Sequence, residues 1–151
     1  MNGRSNLEIG IFIINDSKSK ILLGKNKFDP FWKLLTGRLK YSEDFDESAH
    51  KHLIEQIDLK IDKERINFLS SFNAIDREKN FHTIEIDFYV ILTQTEEKNI
   101  CNDIRNVYQG WQWFSFDDIQ MKKQEIFCGI INLFKKNLIT SIEQIMTISS
   151  N

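Results

Sequence analysis

One mixed α/β domain is the fold this sequence predicts. Three features carry that expectation: runs of β-branched and aromatic residues bounded by turn formers, an internal stretch whose apolar residues recur every four, and a second amphipathic stretch near the C-terminus. A chain of 151 residues has single-domain size, and its 41% hydrophobic and 28% charged residues, with 12 Phe and 3 Trp, suffice for a real core. No linker, repeat or low-complexity tract interrupts it. Residues 1–151 are therefore read as one domain, with a core over about 7–139 and a tail over 140–151.

The elements follow in order. "LEIGIFIIND" reads as a strand closed by an Asn-Asp-Ser turn, and "KILLGK" as the strand pairing back on it. "NKFDPFWK", with the only proline, Pro30, reads as an irregular loop, and "KLLTGRL" as a short strand. A helix is expected from Asp44, with Asp44 and Glu47 spaced as a capping box and Phe45, Ala49, Leu53 and Ile57 forming its core stripe. "INFLSSFNAI" and "FHTIEIDFYVILTQ" read as two strands joined by "DREKN", the second alternating as a half-solvated strand would. "EEKNICNDIRN" reads as a charged loop and the first place to look for partner contact. "GWQWFSF" reads as a strand and "DDI" as a turn or short helix. Ile126, Phe127, Ile130, Ile131, Phe134 and Leu138 mark a long closing helix.

Composition excludes several classes. A net charge of -2 advertises neither a nucleic-acid nor a membrane surface, and Lys122-Lys123 and Lys135-Lys136 are read as the wet sides of helices. "IGIFII" is too short to span a bilayer, and "MNGRSNLEIG" lacks the apolar core of a secretory signal. Cys101 and Cys128 share no ligand spacing and read as free thiols in a reducing interior, cytoplasmic or organellar.

The chemistry is concentrated in residues 37 to 59, "GRLKYSEDFDESAHKHLIEQIDL". A loop delivers Glu43, and a helix delivers Lys51, His52, Glu55 and Gln56. Residues 52, 55 and 56 are expected along one helix edge, roughly opposite the Phe45–Leu53 stripe. Carboxylates on such an edge would hold Mg²⁺ beside a diphosphate.

This spacing resembles the Nudix box, G-x5-E-x7-R-E-U-x-E-E-x-G-U with U a bulky aliphatic residue. Gly37, Glu43, Leu53, Glu55 and Leu59 match it. "FWKLLTGRLKYSE" is similar to the family's approach to the box, keeping Trp32 and Leu34, and "GWQWFSFDDI" is similar to the strand and turn that close its sheet. The resemblance is closest to the MutT-like branch. It implies a Nudix-type α/β/α sandwich with a central mixed sheet, Mg²⁺ (or Mn²⁺) as cofactor, and cleavage of a diphosphate bond in a nucleoside triphosphate or diphosphate-linked nucleoside.

The departures lie at the chemistry. Lys51 stands for Arg, His52 and Gln56 for Glu, and Asp58 for Gly; upstream, Leu35 and Thr36 replace Pro-Gly. Two formal negative charges are lost where a hydrated dication must be captured, and imidazole suits Mg²⁺ poorly. The leading expectation is a Nudix-fold protein with a degenerate metal site, impaired or inactive as a hydrolase, serving as a nucleotide- or protein-binding subunit with no metal cofactor. The alternative is an active pyrophosphohydrolase with rearranged ligands: Glu43 and Glu55 on the metal, Glu85 or Asp87 in support, His52 as base. A purely structural subunit is the third reading.

Other residues have bland explanations beside sharp ones. Glu85 and Asp87 are explained by exposed polar alternation, and His52 is read as a surface histidine rather than a zinc ligand with His50 and His82. Trp32, Phe31 and Phe81 suit base stacking or packing equally. Arg38 could touch a phosphate or simply be solvated. Trp111 and Trp113 share a strand face, with at least one expected in the core.

Overall fold

A computed structural model describes residues 4–78, 80–100 and 110–150, and the side chains of Arg4, Asp76 and Ser150 lie outside that description. Six strands are present: β1 (Arg4–Ile14), β2 (Lys20–Lys25), β3 (Leu35–Arg38), β4 (Asn67–Asp76), β5 (Phe81–Ile91) and β6 (Gly110–Ser115). They form one sheet in the order β4-β5-β1-β2-β6, with β3 also on β1. β1 and β5 run parallel and every other pair is antiparallel, so the sheet is mixed. β1 is shared along one flank: its residues Glu8–Ile11 pair with β3, and Ile13 and Ile14 pair with β2.

Alternation along β1 divides the core. Ile9, Ile11 and Ile13 point to one face, with Leu35, Phe88 and Val90, and are covered by helix α1 (Phe45–Ile57). Phe12 and Ile14 point to the other, with Ile21, Leu23 and Phe114, and are covered by α4 (Cys128–Lys136) and the C-terminal segment. The result is the α/β sandwich that the sequence led us to expect. Ile142, Ile145 and Ile148 of the tail, in a run of 3₁₀ turns over Ile142–Ser150, are buried in the second layer.

Three elements differ from expectation. Helix α2 (Gln94–Ile100) takes up Gln94, read as the end of a strand, and residues 96–100, read as loop, and its Ile100 is buried; residues 101–106 of that loop, with Cys101, lie outside the described residues. The closing helix is short. Ile126 is drawn into a bridge with Trp32, whose N–H donates to Glu125 O at 2.8 Å while Phe127 N–H donates to Trp32 O at 2.9 Å, so α4 starts only at Cys128. Leu138, expected on its apolar face, is left 82% exposed beyond it. Finally, Asp44 makes no side-chain cap bond; it instead hydrogen-bonds the Glu47 carboxyl, which raises the pKa of Glu47.

The complete capping box lies elsewhere. At α3 (Phe116–Met121), Ser115 Oγ accepts from Asp118 N–H at 3.1 Å and Asp118 Oδ2 accepts from Ser115 N–H at 2.9 Å. Two early helix donors are thereby satisfied. Ser115→Ala is expected to cost about 1 kcal/mol, read as a lower urea midpoint at unchanged slope.

Candidate functional site

The box begins where β3 meets α1. Gly37 sits against the helix: a Cβ built there would lie 2.3 Å from the Cε1 and Nδ1 atoms of His52. Glycine is required for this close approach, since its φ is unexceptional. The His52 ring lies over the bare backbone, and its Nε2–H donates to Arg38 O at 2.8 Å. One turn on, Gln56 Nε2 donates to Thr36 O at 2.7 Å, and its Oε1 is buried with no hydrogen-bond partner. His52 is 8% exposed and Gln56 9%, on the face that also buries Ala49 and Leu53. The expected arrangement is thus corrected: both residues belong to the helix–sheet seam, and Phe45, expected in that seam, is 47% exposed with its ring edge toward Phe88. His52 and Gln56, each one residue before a stripe position (Leu53 and Ile57), reach β3, where the Arg38 and Thr36 carbonyls take their donors.

Outside the seam, Glu43 and Lys51 hold each other. Lys51 Nζ lies 3.0 Å from Glu43 Oε2, and Lys40 N–H donates to Glu43 Oε1 at 2.8 Å. The Lys40 amide and then the Lys51 ammonium draw the Glu43 pKa below the usual carboxylate range. Lys51 is raised in turn, chiefly by its bond to Glu43, and the Glu55 charge adds to that. The ammonium is therefore close enough to both box carboxylates to feel their charge. Glu55 itself is exposed. The helix ends as the box requires without its glycine: Asp58 takes the left-handed conformation at φ 53, and Leu59 N–H donates back to Leu53 O at 3.1 Å.

The histidines do not converge. His50 Nδ1–H donates to Ile61 O at 2.7 Å, His52 serves the seam, and His82 lies on β5 between Ser5 and Asn73. Among the described residues, no three of His, Cys, Asp or Glu come together so as to hold a metal ion. Trp32 packs edge-on against Phe114 at 5.1 Å, Phe81 is 45% exposed at the start of β5, and Arg38 is exposed with Nη2 3.4 Å from Asn6 Oδ1. Trp111 and Trp113 both pack partly buried against the α1-side core.

Sequence reasoning misplaced one pair. Glu85 and Asp87 are 6% and 2% exposed, on the face of β5 that looks toward α4, across the sheet from α1. They cannot supply ligands beside Glu55. With Glu8, Lys33 and Thr36 they line a cavity of about 70 Å³ walled by Phe12, Phe72, Phe127 and Ile130. Burial, then the hydrogen bond to Asp87 and its charge, push Glu85 up to about 10, and burial raises Asp87 as well. Burial therefore favours the protonated form of both carboxyls in the folded protein. The register that joins them, Gly10 opposite Asp87 and Glu8 opposite Glu85, depends on a parallel pairing that no local pattern announces.

A mixed sheet with the box helix on one face and a second helix layer on the other is an α/β sandwich. The NUDIX domain family model matches residues 4–128, and the chain belongs to that family. Similar solved structures include a MutT protein from Methanosarcina mazei Go1, at 12% identity and TM-score 0.71, covering 90% of this chain and 94% of that one. The Ap4A hydrolase of C. elegans matches at 15% identity and TM-score 0.61, covering 88% and 96%. A MutT/nudix family protein from Enterococcus faecalis matches at 18% and TM-score 0.60, covering 76% of this chain but only 45% of its own length. At these identities the likeness extends to the fold alone. No curated protein matches the sequence. No helix among the described residues is long and apolar enough to cross a membrane.

Proposed function

We propose that this protein is a Nudix-fold binding module whose metal site has been converted into a structural seam, and that it captures a nucleotide or a protein partner instead of hydrolysing a diphosphate. One observation carries the reading: at two box positions where the resemblance implies glutamate ligands, His52 and Gln56 turn inward and donate to Arg38 O and Thr36 O. A ligand edge for Mg²⁺ needs outward-facing anionic oxygens. Of the remaining two carboxylates, Glu43 is ion-paired with Lys51, whose ammonium occupies the field a dication would otherwise fill. The residues present do not fit a magnesium site. A reducing interior, cytoplasmic or organellar, suits the free, exposed Cys128.

The test is an assay of purified protein with Mg²⁺ or Mn²⁺ against a panel of nucleoside di- and triphosphates and dinucleoside polyphosphates. No release of phosphate, pyrophosphate or nucleotide above the protein-free rate is expected. Turnover at an ordinary enzymatic rate that Glu55→Gln abolishes would overturn the reading.

A further inference from the structure

The sheet ends on an unguarded strand. β5 pairs with one side of β4 and, among the described residues, no strand pairs with the other. At 10 residues β4 is longer than the usual five or six or so. Free edges of that length are ordinarily blunted by lysine, proline or an inward-pointing charge. From Asn67 to Ile75 the strand carries no charged residue and no proline. Its one irregularity lies near the start, where Leu69 is bulged out of the ladder: Phe68 stands opposite Phe88, and Ser70 opposite Asp87. Beyond the bulge the ladder runs unbroken to Asp76.

That bulge sets the faces of the strand. Phe68, Ser71, Asn73 and Ile75 lie on the α1 side of the sheet, and Ser70, Phe72 and Ala74 on the α4 side. Phe68 and Ile75 are 54% and 52% exposed, at opposite ends of the free edge. We propose that two copies of this chain associate by antiparallel pairing of β4 with β4, across a two-fold axis that passes through Phe72 perpendicular to the sheet. Residues facing each other across such a ladder must share a face, and this register satisfies that at every rung. Phe72 meets the partner's Phe72, Ser71 the partner's Asn73, and Ser70 the partner's Ala74. Because Leu69 drops out of the count, Phe68 meets the partner's Ile75, so each large exposed apolar residue of the edge covers the other. The edge is thus complementary to itself, which selects a second copy as its occupant. A groove of about 280 Å³ walled by Phe72, Phe127 and Leu133 runs along the α4 side of the edge and gives room where the two Phe72 rings meet. Lys136, the one charged side chain lining it among the described residues, is exposed and can lead its charge into water.

Sedimentation equilibrium of the full chain in EDTA tests this with no contribution from metal or turnover, so its outcome is independent of the hydrolysis assay. A reversible monomer–dimer equilibrium is expected, with a Kd of about 0.1 mM or tighter. A lysine at either end of the ladder guards the edge, so Phe68→Lys and Ile75→Lys are each expected to weaken the dimer at least about tenfold. The register has its own readout. Phe68→Lys combined with Ile75→Glu sets opposite charges face to face across the axis, and is expected to dimerise about tenfold more tightly than Phe68→Lys combined with Ile75→Lys. Both side chains are half-exposed, and circular dichroism verifies that the variants fold; should one fail to fold, wild type and the remaining variants decide. A chain still monomeric at about 0.2 mM, its edge left to a foreign extended peptide, overturns the proposal. So does a dimer indifferent to the single substitutions, or one that does not distinguish the two double variants.

Discussion

Exchanging His52 and Gln56 together for glutamate is expected to lower stability by about 3–5 kcal/mol in a chelating buffer and to make the melting temperature rise with added Mg²⁺. Each native side chain is a donor to a β3 carbonyl, at 2.8 Å for His52 and 2.7 Å for Gln56. A carboxylate cannot donate there. The exchange therefore leaves Arg38 O and Thr36 O facing negative oxygens and introduces charge at positions only 8% and 9% exposed. A dication that drew both new carboxylates outward, beside Glu55, would offset the penalty. Thermal melts with EDTA and with Mg²⁺ measure both parts. A double variant as stable as wild type in EDTA would show that the seam bonds contribute nothing; a destabilised variant indifferent to Mg²⁺ would show that restoring charge does not restore a site.

The second large effect concerns pH. Glu85 has a folded-state pKa pushed up to about 10 from an ordinary 4.5, so the folded protein holds a proton there that the unfolded chain releases. Between those values the folded state binds more protons, and stability falls as pH rises. The contribution is fully present below the ordinary carboxylate value and is lost progressively toward about 10. Glutamine imitates the protonated acid: it is neutral and can donate to Asp87. Glu85→Gln is thus expected to raise stability at neutral pH by up to about 3 kcal/mol and to flatten the alkaline decline. Glu96 works in the opposite sense. Its bonds to Arg65, at 2.7 and 2.8 Å, hold its pKa down to about 2, so its contribution is lost as pH falls from the ordinary value toward that one. Urea midpoints should therefore lie closest between wild type and Glu85→Gln at mildly acid pH and diverge increasingly through neutral to mildly alkaline pH. Parallel curves would rule out Glu85 as the buried acid responsible.

Most of the sheet was legible because its strands are long, β-branched and separated by turn chemistry, as at Asn15, whose Oδ1 accepts from the Ser19 and Lys20 amides at 2.9 Å. The box was legible from spacing alone. Its orientation was not, since a polar side chain on a helix edge gives no sign of whether it meets solvent or a strand-end carbonyl. Glu85 and Asp87 were misread for a related reason. Alternation of polar and apolar residues implies a solvated face only when that face is uncovered, and β5 lies inside the sheet with α4 across it. The closing helix was overextended because Ile126 and Phe127 fit its period while answering to a non-local bridge with Trp32.

The close fit of His52 over Gly37 has a consequence for how this protein responds to its surroundings. The joint between α1 and β3 is fastened by side-chain N–H donors and a bare backbone, with no bridging by dissolved ions. Chelators that would loosen an ion-bridged joint should leave its amide protection untouched, so the segment can keep its shape through swings in divalent-ion supply.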